Sequence, residues 1–386
     1  MECEGAKIDT SVLKELETTF EHQIKEIEED IYMLAGETFN IASPKQLGEI
    51  LFEKLALPNA KKTARGYSTS QDILEKLEDV HPIIPLIQQY RMLTKLTSTY
   101  VKGLQDQVFS DGKIHTIFNQ ALTQTGRLSS IDPNLQNIPV RQEEGKLIRK
   151  AFIASHDYLV SFDYSQIELR ILAHLAKVKS LIEAFNQDKD IHTHTAALVF
   201  KVKDEDVTSN MRRQAKAVNF GIIYGMGEFR LSKQIGVSLK EAREFIRRYF
   251  EEYPEIKDYM ENVVEDCKHN GYVSTVLNRK RYIPTINDKN FVVREQAKRF
   301  AMNSPIQGSG ADILKLAMIK VDQLMKEKQL KSKMILQVHD ELIFDVVKEE
   351  IDEMMNIIKS AMESAFEMDV PLKVDGAYAH NWYDLK

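Results

Sequence analysis

The chain has 386 residues, more than one domain usually holds, which favours two or three subdomains. Hydrophobic residues make up 43% and charged residues 28%, as in ordinary soluble globular proteins. No apolar run is long enough for a transmembrane helix, and the first ten residues lack a signal-peptide hydrophobic core. The two cysteines, Cys3 and Cys267, exclude a disulfide framework and a Cys-rich zinc site, and a reducing, cytosol-like compartment fits best.

The formal net charge of −6 does not by itself indicate a nucleic-acid partner. The basic residues are nevertheless segregated into short runs at 61–70, 211–216, 278–282 and 294–300. Such segregation would permit a basic groove on an acidic body, although runs of this kind are more often merely solvated faces.

The first hundred residues carry apolar side chains at helical spacing. A long amphipathic helix is predicted over 8–36, followed by helices over 43–57, 66–77 and 81–104. Ser43 and Pro44 supply the N-cap and first-turn signals of the second helix. The pattern predicts an antiparallel helical arm rather than a compact core.

Strand signals begin at 112–120, recur at 158–164 and return at 334–347. The pattern between Ser180 and Phe300 is again mainly helical. Strand-bearing segments therefore bracket a helical insertion, which predicts one mixed sheet domain interrupted by a helical one.

Three acidic residues stand where strands are predicted to end. Asp340 and Glu341 follow His339 at the bend between the strand-like runs 334–338 and 342–346, without the usual Asn-Gly or Asp-Gly turn. Asp163 ends another predicted strand just before an apolar helix. An exposed polar turn is the plainer interpretation of Asp340 and Glu341. A helix cap is the plainer interpretation of Asp163, although Ser165 could also cap that helix. Together Asp163 and Asp340 suggest a shared metal site, and hard oxygen ligands favour Mg²⁺ over zinc.

The segment 211–225 has two distinct faces when drawn as a helix. One face is apolar, and the other presents two cations and two aromatic rings spaced by four: Arg212, Lys216, Phe220 and Tyr224. Cations grip phosphate and rings stack on bases, so this face suits a nucleoside triphosphate. A basic flank with aromatics packed against a neighbour is the alternative.

The stretches "DYSQIELR", "RRQAKAVNFGIIYG" and "VHDE", in this order, resemble motifs A, B and C of the family A (Pol I-like) DNA polymerases. Residues 125–141 and 303–313 match further stretches of that family. The resemblance implies an α+β right-hand fold with an antiparallel-sheet palm, helical fingers and a helical thumb. It implies a thumb over 1–100, fingers over 186–299, and a palm over 101–185 and 300–386.

The resemblance also implies roles for individual residues. Asp163, Asp340 and the backbone carbonyl of Tyr164 would hold two Mg²⁺ ions, with Mn²⁺ as an alternative, and Glu341 would be a supporting acid. The implied nucleotide contacts are His192, Arg212, Lys216, Phe220, Tyr224, Glu168 and Gln166. Among these, Lys216 would be a catalytic proton donor to pyrophosphate and Glu168 a steric gate against ribose. The implied DNA contacts are Arg127, Asn137, Arg299, Gln307 and His339, partly through the minor groove.

The expected activity is therefore template-directed DNA synthesis on primer-template DNA with dNTPs, by a cytoplasmic monomer without membrane contact. Two residues depart from the family pattern, Arg230 and Lys298, and both add positive charge near the fingers or the DNA channel. The start of the chain resembles the end of a helix, which predicts a polymerase without proofreading. A single-subunit RNA polymerase, a silent DNA-binding scaffold and a metal nuclease are the competing readings.

Overall fold

A computed structural model describes residues 1–64, 66–140 and 142–385, and the chain divides into two compact units. The first comprises Met1–Ile117, Ser130–Leu159 and Ala379–Lys386; the second comprises Phe118–Ser129 and Val160–Tyr378. Within the described residues, no helix is both long and apolar enough to cross a membrane.

The α-helices, in chain order, are α1 (Thr10–Ala35), α2 (Pro44–Glu49), α3 (Gln71–Leu74), α4 (Ile83–Lys95), α5 (Gly103–Gln105), α6 (Glu143–Leu147), α7 (Ile167–Ala176), α8 (Lys179–Asn186), α9 (Ile191–Phe200), α10 (Ser209–Ile223), α11 (Glu228–Ile235), α12 (Leu239–Glu252), α13 (Pro254–Asn270), α14 (Phe291–Glu327) and α15 (Ile351–Glu363). The strands are β1 (Ala6–Ile8), β2 (Lys62–Thr63), β3 (Gly66–Tyr67), β4 (Lys113–Ile114), β5 (Ile117–Asn119), β6 (Ser129–Ile131), β7 (Phe152–Ile153), β8 (Tyr158–Tyr164), β9 (Tyr272–Ser274), β10 (Lys280–Tyr282), β11 (Lys333–Val338), β12 (Glu341–Val346) and β13 (Val374–Ala379). Short π-helical segments, Ile50–Lys54 and Leu96–Lys102, continue α2 and α4.

The predicted helices of the first unit are present, except that the one expected over 66–77 begins only at Gln71, because Gly66–Tyr67 form β3. The side chain of Asp9 caps α1 by accepting a hydrogen bond from Ser11 N, and Gly36 ends it with φ 72°. Ser43 caps α2 by accepting from Gln46 N, as its position predicts.

Two expectations for the start of the chain are wrong. The apolar face of α1 is buried, and α1 packs on α4, so this segment has a core of its own rather than forming a bare arm. The chain begins in a turn and then β1, not at the end of a helix. Sequence reasoning missed β1 because its three residues gain their partners, β4 and β7, only from distant parts of the chain.

The second unit is built around a four-stranded sheet in the order β11-β12-β8-β13. Every residue of β12 is buried, and β11 pairs with it antiparallel. Helix α14 packs against α7 and α15. This arrangement agrees with the predicted α+β class and places the end of β8 beside the β11–β12 turn.

The region between residues 180 and 300 is mainly helical, as predicted, with α8 to α13 and one hairpin, β9–β10, that the sequence pattern did not indicate. Helix α10 packs on α9 and buries Ala215, Val218 and Ile222. Its opposite face is therefore available to a ligand.

Candidate active site

The β11–β12 connection is a two-residue turn made by His339 and Asp340. Val338 pairs with Glu341, so the ladder closes directly around these two residues. His339 is exposed and has φ 56°, a left-handed conformation that few residues other than glycine adopt, while Asp340 is half-buried. Both side chains are therefore held at the rim of the sheet.

Glu341 does not lie at the bend, where the sequence placed it. It is the first residue of β12 and is only 2% exposed. This geometry fits a supporting role for Glu341.

Asp163 comes from the strand next to this turn. Tyr164 N donates a hydrogen bond to the carbonyl of Asp340 at 3.2 Å, which fixes the end of β8 against the turn. Asp163 precedes Tyr164 and is half-buried. The side chain of Tyr164 is held by a different contact, because its hydroxyl donates a hydrogen bond to Met362 O at 2.7 Å. Burial raises the pKa of this hydroxyl.

The donor set of this site suits a hard divalent cation. Two carboxylates and one backbone carbonyl are oxygen ligands, and Mg²⁺ typically takes one or two carboxylates and completes its shell with water and substrate phosphates. Across 1–64, 66–140 and 142–385, no three His, Cys, Asp or Glu side chains form a self-sufficient metal cage. The two carboxylates and the carbonyl fit such a cation by the chemistry of their oxygen atoms.

Arg127 links Asp340 to a second carboxylate. Its Nη2 donates to Glu168 Oε1 at 3.0 Å and to Asp340 Oδ1 at 3.3 Å. Tyr224 donates its hydroxyl to Glu168 Oε2 at 2.8 Å. Glu168 is only 6% exposed, and this burial raises its pKa against the opposing effect of Arg127. Its carboxylate is thus fixed in place from both sides.

His192, on α9, contacts α10 beside the polar face of that helix. Asn219 Nδ2 donates to His192 Nδ1 at 3.1 Å, and because an amide nitrogen only donates, the proton of the neutral ring sits on Nε2. Burial lowers the pKa of His192 to about 4, and the positive charges of Lys216 and Arg212 act in the same direction. The Phe220 ring centroid lies 5.7 Å from that of His192. The face therefore combines two exposed cations, a neutral donor and an aromatic ring.

Tyr224 departs from the predicted row of four. Helix α10 ends at Ile223, and Tyr224 is its C-cap with φ −90° and ψ 9°. The side chain turns toward Glu168 and stays 44% exposed. Gln166 is also outside a helix, with φ 54° at the N-cap of α7.

The predicted DNA contacts fall in both units. Arg299 is exposed on α14 and lies close to Gly225. A Cβ added to Gly225 would be 3.0 Å from Arg299 Cγ. Gln307 lies half-buried on the same helix. Asn137 belongs to the first unit, where its carbonyl accepts a hydrogen bond from the Tyr100 hydroxyl at 2.6 Å.

The two departures from the family pattern differ in their surroundings. Arg230 is exposed on α11, whereas Lys298 Nζ lies 2.7 Å from Glu295 Oε1 on the same helix. The charge that Lys298 adds is therefore partly offset by a carboxylate one turn away.

Sequence reasoning missed two residues, Asp190 and Asn219, that contact Arg212 and His192. Asp190 caps α9 by accepting from Thr193 N, and it also pairs with Arg212 Nη2 at 2.7 Å. Its cap position, three residues before Thr193, was a usable signal. Asn219 carried no such signal, because only the fold shows that it contacts His192.

The chain is similar to known proteins over its full length. The profile of "DNA polymerase family A" matches residues 10–384. DNA polymerase I of Bacillus caldotenax is 55% identical over 390 residues, covering 100% of this chain and 44% of the relative. DNA polymerase I of Bacillus subtilis (strain 168) is 56% identical over 389 residues, with the same coverage of 100% and 44%. The chain thus spans less than half the length of these curated relatives.

One solved structure is similar over the whole chain. It is described as "POL domain of Pol1 from M. smegmatis complex with DNA primer-template and dNTP". Its TM-score is 0.95 at 43% identity, covering 100% of this chain and 68% of that one.

Proposed function

Because the chain belongs to DNA polymerase family A, we propose that it extends a DNA primer along a DNA template, adding deoxynucleotides and releasing pyrophosphate. The observation that carries this proposal is the backbone hydrogen bond from Tyr164 N to Asp340 O, which fixes the end of β8, where Asp163 stands, against the turn that carries Asp340. The relative solved with primer-template and dNTP supports the same substrates.

Divalent metals are the general cofactors of this family, and the proposed site is Asp163, Asp340 and the carbonyl of Tyr164. Two Mg²⁺ ions, or Mn²⁺ in their place, would activate the primer hydroxyl and neutralise charge on the triphosphate. Arg127 donates to Asp340 and so reduces the repulsion between the carboxylates.

The nucleotide would bind along α10. Arg212 and Lys216 are exposed cations suited to the triphosphate, and His192 donates through Nε2 without adding charge. We propose that Lys216 protonates the leaving pyrophosphate. Phe220 would contact the sugar, and Gln166 would lie beside it.

Glu168 is the proposed steric gate against a ribose 2′-hydroxyl. Arg127 and Tyr224 hold its carboxylate from both sides, so it cannot swing aside to make room. Tyr224 is only half-buried, which leaves one face of its ring for the templating base.

Primer-template DNA is proposed to contact Arg127, Asn137, Arg299, Gln307 and His339. Minor-groove acceptors are alike for all base pairs, so such contacts could test pair shape without reading sequence. The division into thumb (1–100), palm (101–185 and 300–386) and fingers (186–299) remains part of the proposal. We further propose a monomer acting in the cytoplasm, at the nucleoid of a bacterial source or in the host cytoplasm for a viral one, in replication or repair synthesis.

Extension of a labelled primer with dNTPs or rNTPs in Mg²⁺ tests the function. Asp163→Asn and Asp340→Asn should each slow extension by about a thousandfold, since a metal supplies several kcal/mol of transition-state stabilisation. Asp322→Asn, an exposed residue paired with Lys326, is the matched control and should extend normally. Extension with rNTPs alone would favour RNA synthesis, tight binding without extension a scaffold, and shortening of the primer a nuclease.

The same assay tests the gate. Glu168→Ala should admit rNTPs while dNTP addition continues, because removal of the fixed carboxylate opens the space for a 2′-hydroxyl. Unchanged sugar discrimination would remove Glu168 from this role.

A further inference from the structure

Arg279 joins three separate segments of the second unit. It follows β9 and immediately precedes β10. Its Nε donates to Asp312 Oδ1 at 2.8 Å, and its Nη2 donates to the carbonyls of Thr125 at 2.8 Å and Gly308 at 3.0 Å. One guanidinium thus ties the β9–β10 hairpin to α14 and to the segment 123–127.

The orientation of this guanidinium is fixed by a buried acid. Asp312 is 6% exposed and also accepts from the Thr275 hydroxyl at 2.6 Å. A charge-assisted bond to a buried carboxylate is among the stronger hydrogen bonds in proteins. Arg279 therefore acts as a rigid fork rather than a mobile surface cation.

The segment 123–127 lies directly against the guanidinium of Arg279. A Cβ added at Gly126 would be 2.4 Å from Arg279 Cζ, a separation that side chains do not tolerate, and Gly126 also has φ 80°. The segment is closed on itself, because Gly126 N donates to Thr123 O at 3.1 Å and the Thr123 hydroxyl donates to Arg127 O at 2.6 Å. Its position is therefore set by Arg279 on one side.

The next residue is Arg127, which donates to both Glu168 and Asp340. We propose that Arg279 is a positioning residue for catalysis, which holds the 123–127 segment so that Arg127 reaches Glu168 and Asp340. Among the described residues, no hydrogen bond or ion pair joins Arg279 or its hairpin to Glu168 or Asp340, so the effect runs through Arg127. The inference rests on the proposed polymerase function.

The test is a double-mutant cycle in primer extension. Arg279→Gln should lower kcat by between about tenfold and a hundredfold, the range for a small misplacement near the reacting groups, with KM for dNTP changed far less. In an Arg127→Ala background the same substitution should lower kcat by less than about twofold, because its target is gone. An equal loss in both backgrounds, or no loss in either, overturns the proposal.

Two further variants separate geometry from charge and from general stability. Arg279→Lys keeps the positive charge but lacks the paired Nε and Nη2 donors, so kcat should stay low. Recovery of the wild-type kcat would overturn the geometric argument. Arg294→Gln is the matched control, because Arg294 also donates to backbone carbonyls, those of Asp288 and Lys289, away from the 123–127 segment. It should keep wild-type kcat.

Hydrogen exchange gives a readout that needs no activity. Arg279→Gln should raise amide exchange within residues 119–128, and Arg294→Gln should not. If the wild-type chain fails to extend a primer, the polymerase proposal fails. Hydrogen exchange still tests whether Arg279 holds the 123–127 segment. Unchanged exchange in Arg279→Gln would overturn the inference on its own.

Discussion

The low pKa of His192 leads to a measurable dependence of stability on pH. Burial, opposed by the negative charge of Asp190 and aided by Lys216 and Arg212, lowers this pKa from 6.5 to about 4, so the unfolded chain binds a proton more readily than the folded chain between these values. The stabilisation is therefore present above the unfolded value and is lost as the pH falls toward about 4.

The size of the effect follows from that interval. At about 1.4 kcal/mol for each pH unit, the difference corresponds to at most about 3.5 kcal/mol, of which about 2.4 kcal/mol should develop between about pH 7 and about pH 4.5. His192→Gln replaces the imidazole with a neutral amide that cannot titrate. The variant should therefore lose less stability than the wild type over the same range.

Urea unfolding of both proteins at the two pH values measures this difference, because all other titrating groups are shared and cancel. His22→Gln, which replaces an exposed histidine on α1, is the control for the substitution itself. Equal acid sensitivity in the wild type and in His192→Gln would refute the reasoning. An NMR titration of His192 with a midpoint near its ordinary value would also do so.

Three other predictions concern Tyr224, Phe220 and the N-cap of α14. Tyr224→Phe removes a donor from the buried Glu168 and should cost about 1–2 kcal/mol of unfolding free energy at neutral pH, and less in acid where Glu168 is protonated; a loss independent of pH would contradict this. Phe220→Tyr adds a hydroxyl that could replace a missing sugar contact, so termination by dideoxynucleotides should rise in a sequencing ladder; an unchanged ladder removes the sugar role. Asn290→Ala should cost about 1 kcal/mol in urea unfolding, because its side chain caps α14 through Val292 N; an unchanged midpoint would show that the cap contributes nothing.

Much of the site could be predicted from the sequence because the relevant signals are local. Helical spacing identified the buried and exposed faces of α10, and runs of strand-forming residues located the strands that end near Asp163 and Asp340. Local patterns failed at element ends. They could not show that Glu341 begins β12 or that Tyr224 lies beyond α10, because both depend on where a hydrogen-bonded ladder stops.

The sequence by itself determined which residue types stand on which face of each helix and at which end of each strand, since those relations follow from backbone periodicity. Only the tertiary structure decided which of those residues meet. Arg127 reaches Asp340 across 213 positions and Glu168 across 41, and Arg279 reaches Thr125 across 154. Contacts at such separations depend on how the sheet and helices pack, and no local pattern records them.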